Sequence, residues 1–267
     1  MNFVYEDLEA ETTKRLTFDI RYYENYAKTF DGDLEGGLYI FKSIHNTSHL
    51  FNQSVVFVNA YQGTLMSMFV IYFKSKMNPY ENNFLKIKVA GDGIKFNEQI
   101  EFDLYLEGIQ YMPGLDVTVN WKCWDLNATG NIFYTDANAL EIVKRTSDIY
   151  SKRYHYTTQQ RASSNFYPVQ SGIFIEDESL GEQMVIMNDR SEGGSAWQNG
   201  TLELMINRRG NTSDSLGNDE SLNETEWVNG IEVGIRVNAK YRLQFTKSRK
   251  QALDTIRKRF LRTQYPL

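Results

Sequence analysis

One cysteine, four prolines and three histidines are all that this chain of 267 residues carries of those types. The lone Cys123 excludes an internal disulfide framework and any C-x-x-C metal or redox motif. Basic residues are also short, 29 against 34 acidic, and a net charge of −5 lacks the footprint of a nucleic-acid binder. The longest apolar run, residues 65–73, is too short to cross a bilayer, so no membrane span is expected. The first residues, MNFVYEDLEAE, are acidic and have no apolar h-region, so no signal peptide is expected. No nucleophile elbow, phosphate loop, H-E-x-x-H or dinucleotide fingerprint occurs. Carboxylates abound, but no spacing singles out an acid/base couple.

What is present is strand. A hydrophobic share of 41% against 24% charged fits a folded domain, and the length suits one large β domain or two small ones. Ile100, Phe102, Leu104 and Leu106 alternate with Glu101, Asp103 and Tyr105, the period of a half-buried strand. Residues 85–89 and 115–121 alternate likewise, the latter placing Leu115, Val117 and Val119 on one face. The β-branched and aromatic runs 54–60 and 64–74 read as inner strands. Further strands are expected at 172–175, 183–187, 202–206, 231–237 and 241–245. Turn signals stand at Gln62-Gly63, Asn78-Pro79, 91–93 and Pro113-Gly114. Many short strands at this spacing point to an all-β fold, a large antiparallel β-sandwich.

Two stretches break the pattern. Residues 211–223 are polar and acidic and read as an exposed loop. Residues 248–261 place Ala252, Leu253, Ile256, Phe260 and Leu261 on one helical face, predicting a short C-terminal helix packed on the sheet, with a membrane-surface helix as the alternative. His45 and His49, four apart, would share a metal only on a helix, and their surroundings read as loop; His155 lies in a polar, tyrosine-rich stretch. No catalytic or metal-binding residue is therefore assigned. Six N-x-S/T sequons start at Asn46, Asn52, Asn127, Asn199, Asn211 and Asn223. Chance supplies roughly two or three in so asparagine-rich a chain, so these are candidate glycosylation sites of a protein maturing in the secretory pathway.

Four local motifs lie between residues 130 and 209: GNIFYTDAN (130–138), NFYPV (165–169), NDRSEGGS (188–195) and GTLELMINRR (200–209). The third is a charged loop hinged by glycines directly after a strand. The fourth ends in Arg208 and Arg209, where a guanidinium either makes a surface ion pair or reaches out to donate paired hydrogen bonds.

Together these motifs resemble the β-rich part of glycoside hydrolase family 38 α-mannosidases, above all the lysosomal branch, with its GxFYTD-x-N, YYPV, TDRS-x-GGSS and SLELM-x-x-RR segments. Residues 35–41, EGGLYIF, are similar to the family's SGAY-I/L-F segment, and residues 241–267 to the strand and helix beyond the double arginine. The resemblance is diffuse over 54–120 and 210–240. It implies a galactose-mutarotase-like sandwich spanning 1–267, the N-terminal zinc-bearing α/β domain and the final β-sandwich lying outside the chain, as in an internal piece of a larger enzyme or a truncated gene model. It implies zinc in the full-length enzyme and none here, since the H-x-D ligand motif has no counterpart. It implies a retaining α-mannosidase that removes terminal α-linked mannose from glycans through a glycosyl-enzyme intermediate, in a lysosomal or other secretory-pathway compartment. By motif matching, Tyr39 and Arg208, with Arg209 as alternative, are the expected substrate contacts, meeting at one edge with loop 189–195. The isolated chain is then expected to be inactive, with the catalytic domain and mannose-containing glycans as partners. The competing readings are a stand-alone carbohydrate-binding sandwich using Trp197 and Trp227, and a purely structural interaction domain.

Overall fold

The computed structural model describes all residues except 8–11, 28–34, 65, 76–77, 91–99, 107–112, 129–130, 150–159, 218 and 265–267. Among the described residues eighteen strands are formed: β1 (Asn2–Asp7), β2 (Thr12–Glu24), β3 (His49–Leu50), β4 (Gln53–Tyr61), β5 (Met66–Ser75), β6 (Asn78–Ala90), β7 (Ile100–Leu106), β8 (Leu115–Cys123) and β9 (Ile132–Ala137) come first. There follow β10 (Glu141–Thr146), β11 (Tyr167–Val169), β12 (Gly172–Asp177), β13 (Glu182–Met187), β14 (Glu192–Ser195), β15 (Thr201–Arg209), β16 (Thr225–Val228), β17 (Ile231–Gly234) and β18 (Val237–Thr246). The helix α1 (Arg249–Gln264) closes the order.

Two antiparallel sheets dominate. The seven-stranded sheet runs β1-β2-β8-β15-β14-β11, with β3 beside β2; the nine-stranded sheet runs β10-β9-β12-β13-β18-β7-β6-β5-β4. Phe18, Val119, Trp121 and Leu204 from the first meet Leu85, Phe102, Leu104, Ile186 and Tyr241 from the second in one core. Aromatic rings stitch the layers, Phe18 to Phe102 at 5.6 Å and Trp121 to Tyr241 at 4.8 Å between centroids. β7 alternates buried and half-buried as its period of two requires.

The helix packs on the outer face of the nine-stranded sheet, as expected, through fully buried Ala252 and Ile256 against Phe174, Val185 and Met187. Ser248 starts it by accepting the Gln251 N–H on its hydroxyl while Gln251 Oε1 accepts the Lys247 N–H, a reciprocal cap. The approach is close: a Cβ on Gly172 would sit 2.7 Å from Ile256. Leu261, expected on the buried face, is 55% exposed, because at about 100° per residue it lies roughly 180° around the helix from Ala252, while Phe260 still packs on the sheet.

Further expectations change. β4 is no inner strand but the outermost strand of its sheet, exposed along nearly its whole length. Strand propensity measures fit to a pleated surface and carries no information on whether a neighbour follows. β8 is buried on both faces rather than one, because loops cover the side that carries Asp116, Thr118 and Asn120. The segment 231–237 divides between β17 and β18. Asn78 and Pro79 begin β6; the turn expected at 91–93 and His155 lie outside the described residues.

Candidate functional site

The covered outer face of the seven-stranded sheet holds the polar residues of the motifs. On β8, Asp116 is paired in register with Tyr23 of β2 and with Arg208 of β15. A register shift between Met205 and Asn207 brings Arg208 to that position. Arg208 Nε donates to Asp116 Oδ1 at 2.9 Å, and Asn25 donates to the other carboxylate oxygen at 3.1 Å. Asp116 is fully buried; burial pushes its pKa up while the Arg208 charge and hydrogen bond pull it back.

The rest of the Arg208 guanidinium turns to the segment 36–41. Nη2 donates to Gly37 O at 2.8 Å and to Ile40 O at 3.0 Å, and Nη1 to Leu38 O at 3.3 Å. The opposite polar edge of the segment faces Asp214, whose Oδ2 accepts the N–H groups of Tyr39 at 2.6 Å and Ile40 at 3.1 Å. Leu216 N–H donates to its Oδ1 at 3.2 Å. Burial opposes the Asp214 charge, but these donors and Arg208 outweigh it and hold the carboxyl below its usual range. Loop 211–223 is therefore not merely exposed: buried Asp214 ties it to residues 36–41, and Thr212 adds a hydrogen bond to Gly36 O. A side chain on Gly37 would meet Asp214 backbone nitrogen at 2.5 Å, so a close approach requires glycine there. The product is a tight loop gripped by a cation on its carbonyls and an anion on its amides, presenting the Tyr39 side chain 62% exposed.

Tyr23, Phe41 and Phe166 pack edge to face beneath this loop, 5.2–5.9 Å apart, with Arg208 over Phe41 at 5.8 Å. Farther along the same face Glu203 is buried, accepting hydrogen bonds from Thr118 at 2.7 Å, Tyr23 at 3.1 Å and the Trp197 indole at 3.4 Å. Burial pushes its pKa up. Trp197 is half-buried under Arg161, so of the two tryptophans considered as a platform only Trp227 stands open.

The structure brings Tyr39 and Arg208 together through the loop backbone. Loop 189–195 reaches them only indirectly, its Gly193 lying against Phe166. Its polar groups turn to the seam between sheets: Arg190 pairs with Asp189 and donates to Asn238 O, and Glu192 Oε1 accepts the Tyr241 hydroxyl at 2.8 Å. Burial pushes Glu192 up to about 8, Asp189 adds to the rise, and the Tyr241 hydrogen bond and Arg190 oppose it. Arg209 takes a separate course, Nε donating to Asn223 Oδ1 at 2.6 Å, and burial lowers its pKa.

His45 and His49 lie ring to ring at 5.0 Å, His49 in the short strand β3. Among the described residues no three His, Cys, Asp or Glu side chains converge as metal ligands. All six sequon asparagines are exposed, and Asn199 Nδ2 donates to Asn127 Oδ1 at 2.9 Å.

Asp116, Asp214, Glu203, Phe41 and Phe166 were not among the candidates read from sequence. The one available signal was the Asp-Val-Thr-Val-Asn alternation of β8, whose polar half reads as solvated unless the covering loops are known.

Residues 2–215 match the family described as the glycosyl hydrolases family 38 C-terminal domain. Curated relatives include the lysosomal alpha-mannosidases of Cavia porcellus, 38% identical over 105 residues (38% of this chain, 10% of the relative), and Homo sapiens, 39% over 101 residues (37% and 10%). An alpha-mannosidase of Arabidopsis thaliana is 29% identical over 153 residues, 57% of this chain and 15% of its own. The matched stretches thus span between a tenth and a sixth of those relatives' length. The crystal structure of an alpha-mannosidase from Enterococcus faecalis superimposes with a TM-score of 0.66 at 10% identity, covering 98% of this chain and 29% of that one. At that identity the likeness is one of fold.

Proposed function

This chain belongs to the glycosyl hydrolases family 38 C-terminal domain family, and from that premise we propose that it is the β-sandwich part, residues 1–267, of a retaining α-mannosidase that releases terminal α-linked mannose from glycans. It packs on a catalytic α/β domain of the same protein and lines the substrate cleft. The carboxylate nucleophile, the acid/base carboxyl and the zinc belong to that other domain, and no step of the chemistry is assigned to a residue here.

The observation that carries the reading is the presentation of Tyr39. An open aromatic ring with a hydroxyl, on a loop fixed from both sides, suits stacking against a sugar or hydrogen bonding to it. A loop held this way loses little conformational entropy on binding. Arg208 sets that loop. Four of its five N–H groups are engaged by Asp116 and three carbonyls, which leaves one Nη1–H for a sugar hydroxyl. Maturation in a lysosomal or related secretory compartment, with glycans on the six exposed asparagines, fits the sequons and the lysosomal relatives.

The test is a chimera in which this chain replaces the corresponding segment of the Cavia porcellus enzyme. Chelator-sensitive turnover of an aryl α-mannoside is expected from the chimera and none from the chain alone with added zinc. Tyr39→Ala should lower kcat/KM of the chimera by about tenfold or more, the scale of one lost aromatic contact in the transition state. Zinc-dependent turnover by the isolated chain, or an unaffected Tyr39→Ala chimera, would overturn the reading.

A further inference from the structure

A second open aromatic side chain stands beyond the end of β15. Arg209 Nε bonds Asn223, and Gly210 N–H donates to Leu222 O at 2.8 Å, so two contacts fix the approach to the β16–β17 hairpin. Within the hairpin Trp227 is the register partner of Glu232, which places the two on one face. The Thr225 hydroxyl donates to Glu232 Oε1 at 2.5 Å and orients that carboxylate. Trp227 is 74% exposed, more than any other large apolar side chain among the described residues.

Three features favour a sugar over a protein partner. On the hairpin face that carries Trp227 the register sets Glu232 beside it and the Thr225–Gly234 pair next along, so the indole shares that face of the hairpin with polar or small residues. The terminal nitrogens of Arg209 have no hydrogen-bond or ion-pair partner among the described residues. Arg209 is tied through Asn223 to the residues just ahead of β16, and the Glu232 charge opposes the fall that burial imposes on its pKa. A flat apolar plate bordered by a carboxylate acceptor and a guanidinium donor matches a pyranose, which has an apolar C–H face and a rim of hydroxyls.

We propose that Trp227, Glu232 and Arg209 form a second carbohydrate-binding surface that holds a neutral, α-mannose-containing oligosaccharide by stacking on the indole. Arg208 and Arg209 are consecutive on a strand, so their side chains leave on opposite sides. The surface is therefore separate from the Tyr39 loop and binds its own part of a glycan. Its ligand class rests on the mannosidase reading above, but its existence does not depend on catalysis.

The test is a titration of the full chain with α-linked mannotriose, following the four tryptophan indole N–H resonances by NMR. The Trp227 resonance is expected to move. Trp227→Ala should weaken binding by about tenfold or more. Glu232→Ala should weaken it also, Trp227→Tyr should retain part of it, and Tyr39→Ala should leave the shift in place. If Trp227→Ala loses its dispersed spectrum, Trp227→Tyr and Glu232→Ala decide. A Trp227 resonance that stays fixed at tens of millimolar sugar overturns the surface, as does an equal shift with glycerol, wild-type binding by Glu232→Ala and Trp227→Ala, or loss of the shift in Tyr39→Ala. The mannosidase reading is judged separately, by turnover of the chimera.

Discussion

Arg208 and Asp214 grip opposite polar edges of one short segment, and neither is replaceable by a residue of the same charge alone. Arg208→Lys keeps the cation but cannot reach Asp116 and three carbonyls at once. Arg208→Ala leaves Asp116 buried without its counter-charge and should cost about 3 kcal/mol in thermal or denaturant unfolding. Asp214→Asn should accelerate amide hydrogen exchange at Tyr39 and Ile40, leaving the core strands unchanged. Because the Asp214 pKa is lowered, its grip holds above the ordinary carboxylate value of 3.8 and is lost only as pH falls below it. Glu192 works in the other sense. Its folded pKa of about 8 lies above the ordinary 4.5. The proton-linked stability is fully present below 4.5 and is lost as pH rises through 8, an effect of up to about 5 kcal/mol. Thermal stability should therefore fall between pH 5 and 8, and Glu192→Gln should flatten that fall. An unchanged slope in the variant would remove Glu192 as its cause. Tyr39 and Arg208 were legible through motif matching, whereas Asp214 was not. It sits in a polar loop with little resemblance to the family, and burial of one aspartate there depends on a segment some 175 residues away.

At the scale of elements, alternation was a reliable guide wherever one face meets the core and the other meets water. β7 is such a strand, and its pattern is visible in the residues alone. β8 escaped because its second face is also buried, Asp116 held by Arg208 and Asn25 and Thr118 by Glu203, and polar-but-buried has the same sequence pattern as polar-and-solvated. β4 escaped because sheet order is set by distant pairings. Its open edge has a physical consequence: from Gln53 to Gln62 it carries no charge and no proline, and Val55, Val56, Phe57, Val58 and Tyr61 are exposed. A long apolar edge without such guards pairs with other strands. The isolated chain should self-associate as its concentration rises, and Val56→Lys should raise the concentration at which sedimentation still reports a monomer. A variant that associates as readily as the parent would place the contact elsewhere.

The molecule as a whole divides into a layer that stabilises and a layer that presents. The facing sides of the two sheets are packed with aromatic and aliphatic side chains, and nothing in them is specific to sugar chemistry. The outer side of the smaller sheet carries buried Asp116 and Glu203 and the loop with Tyr39. Scaffold and site are thus back to back on the same strands, and β15 serves both, Leu202 and Leu204 inward, Glu203 and Arg208 outward. An all-β fold was readable from period and turns because the inner side obeys simple rules. The outer side obeys none that a single sequence displays, so the family motifs, rather than composition, led to it.

The clamp on residues 36–41 also bears on the timing of synthesis. Gly37 and Arg208 are 171 residues apart. At about 5–20 residues per second, a ribosome needs on the order of 10–30 s to make the second after the first. Throughout that interval the segment has neither the cation for its carbonyls nor the aspartate for its amides, and β2 lacks β8 for much of it. The loop that presents Tyr39 is consequently among the last parts of the nascent chain to settle, and its order registers that β15 has already docked.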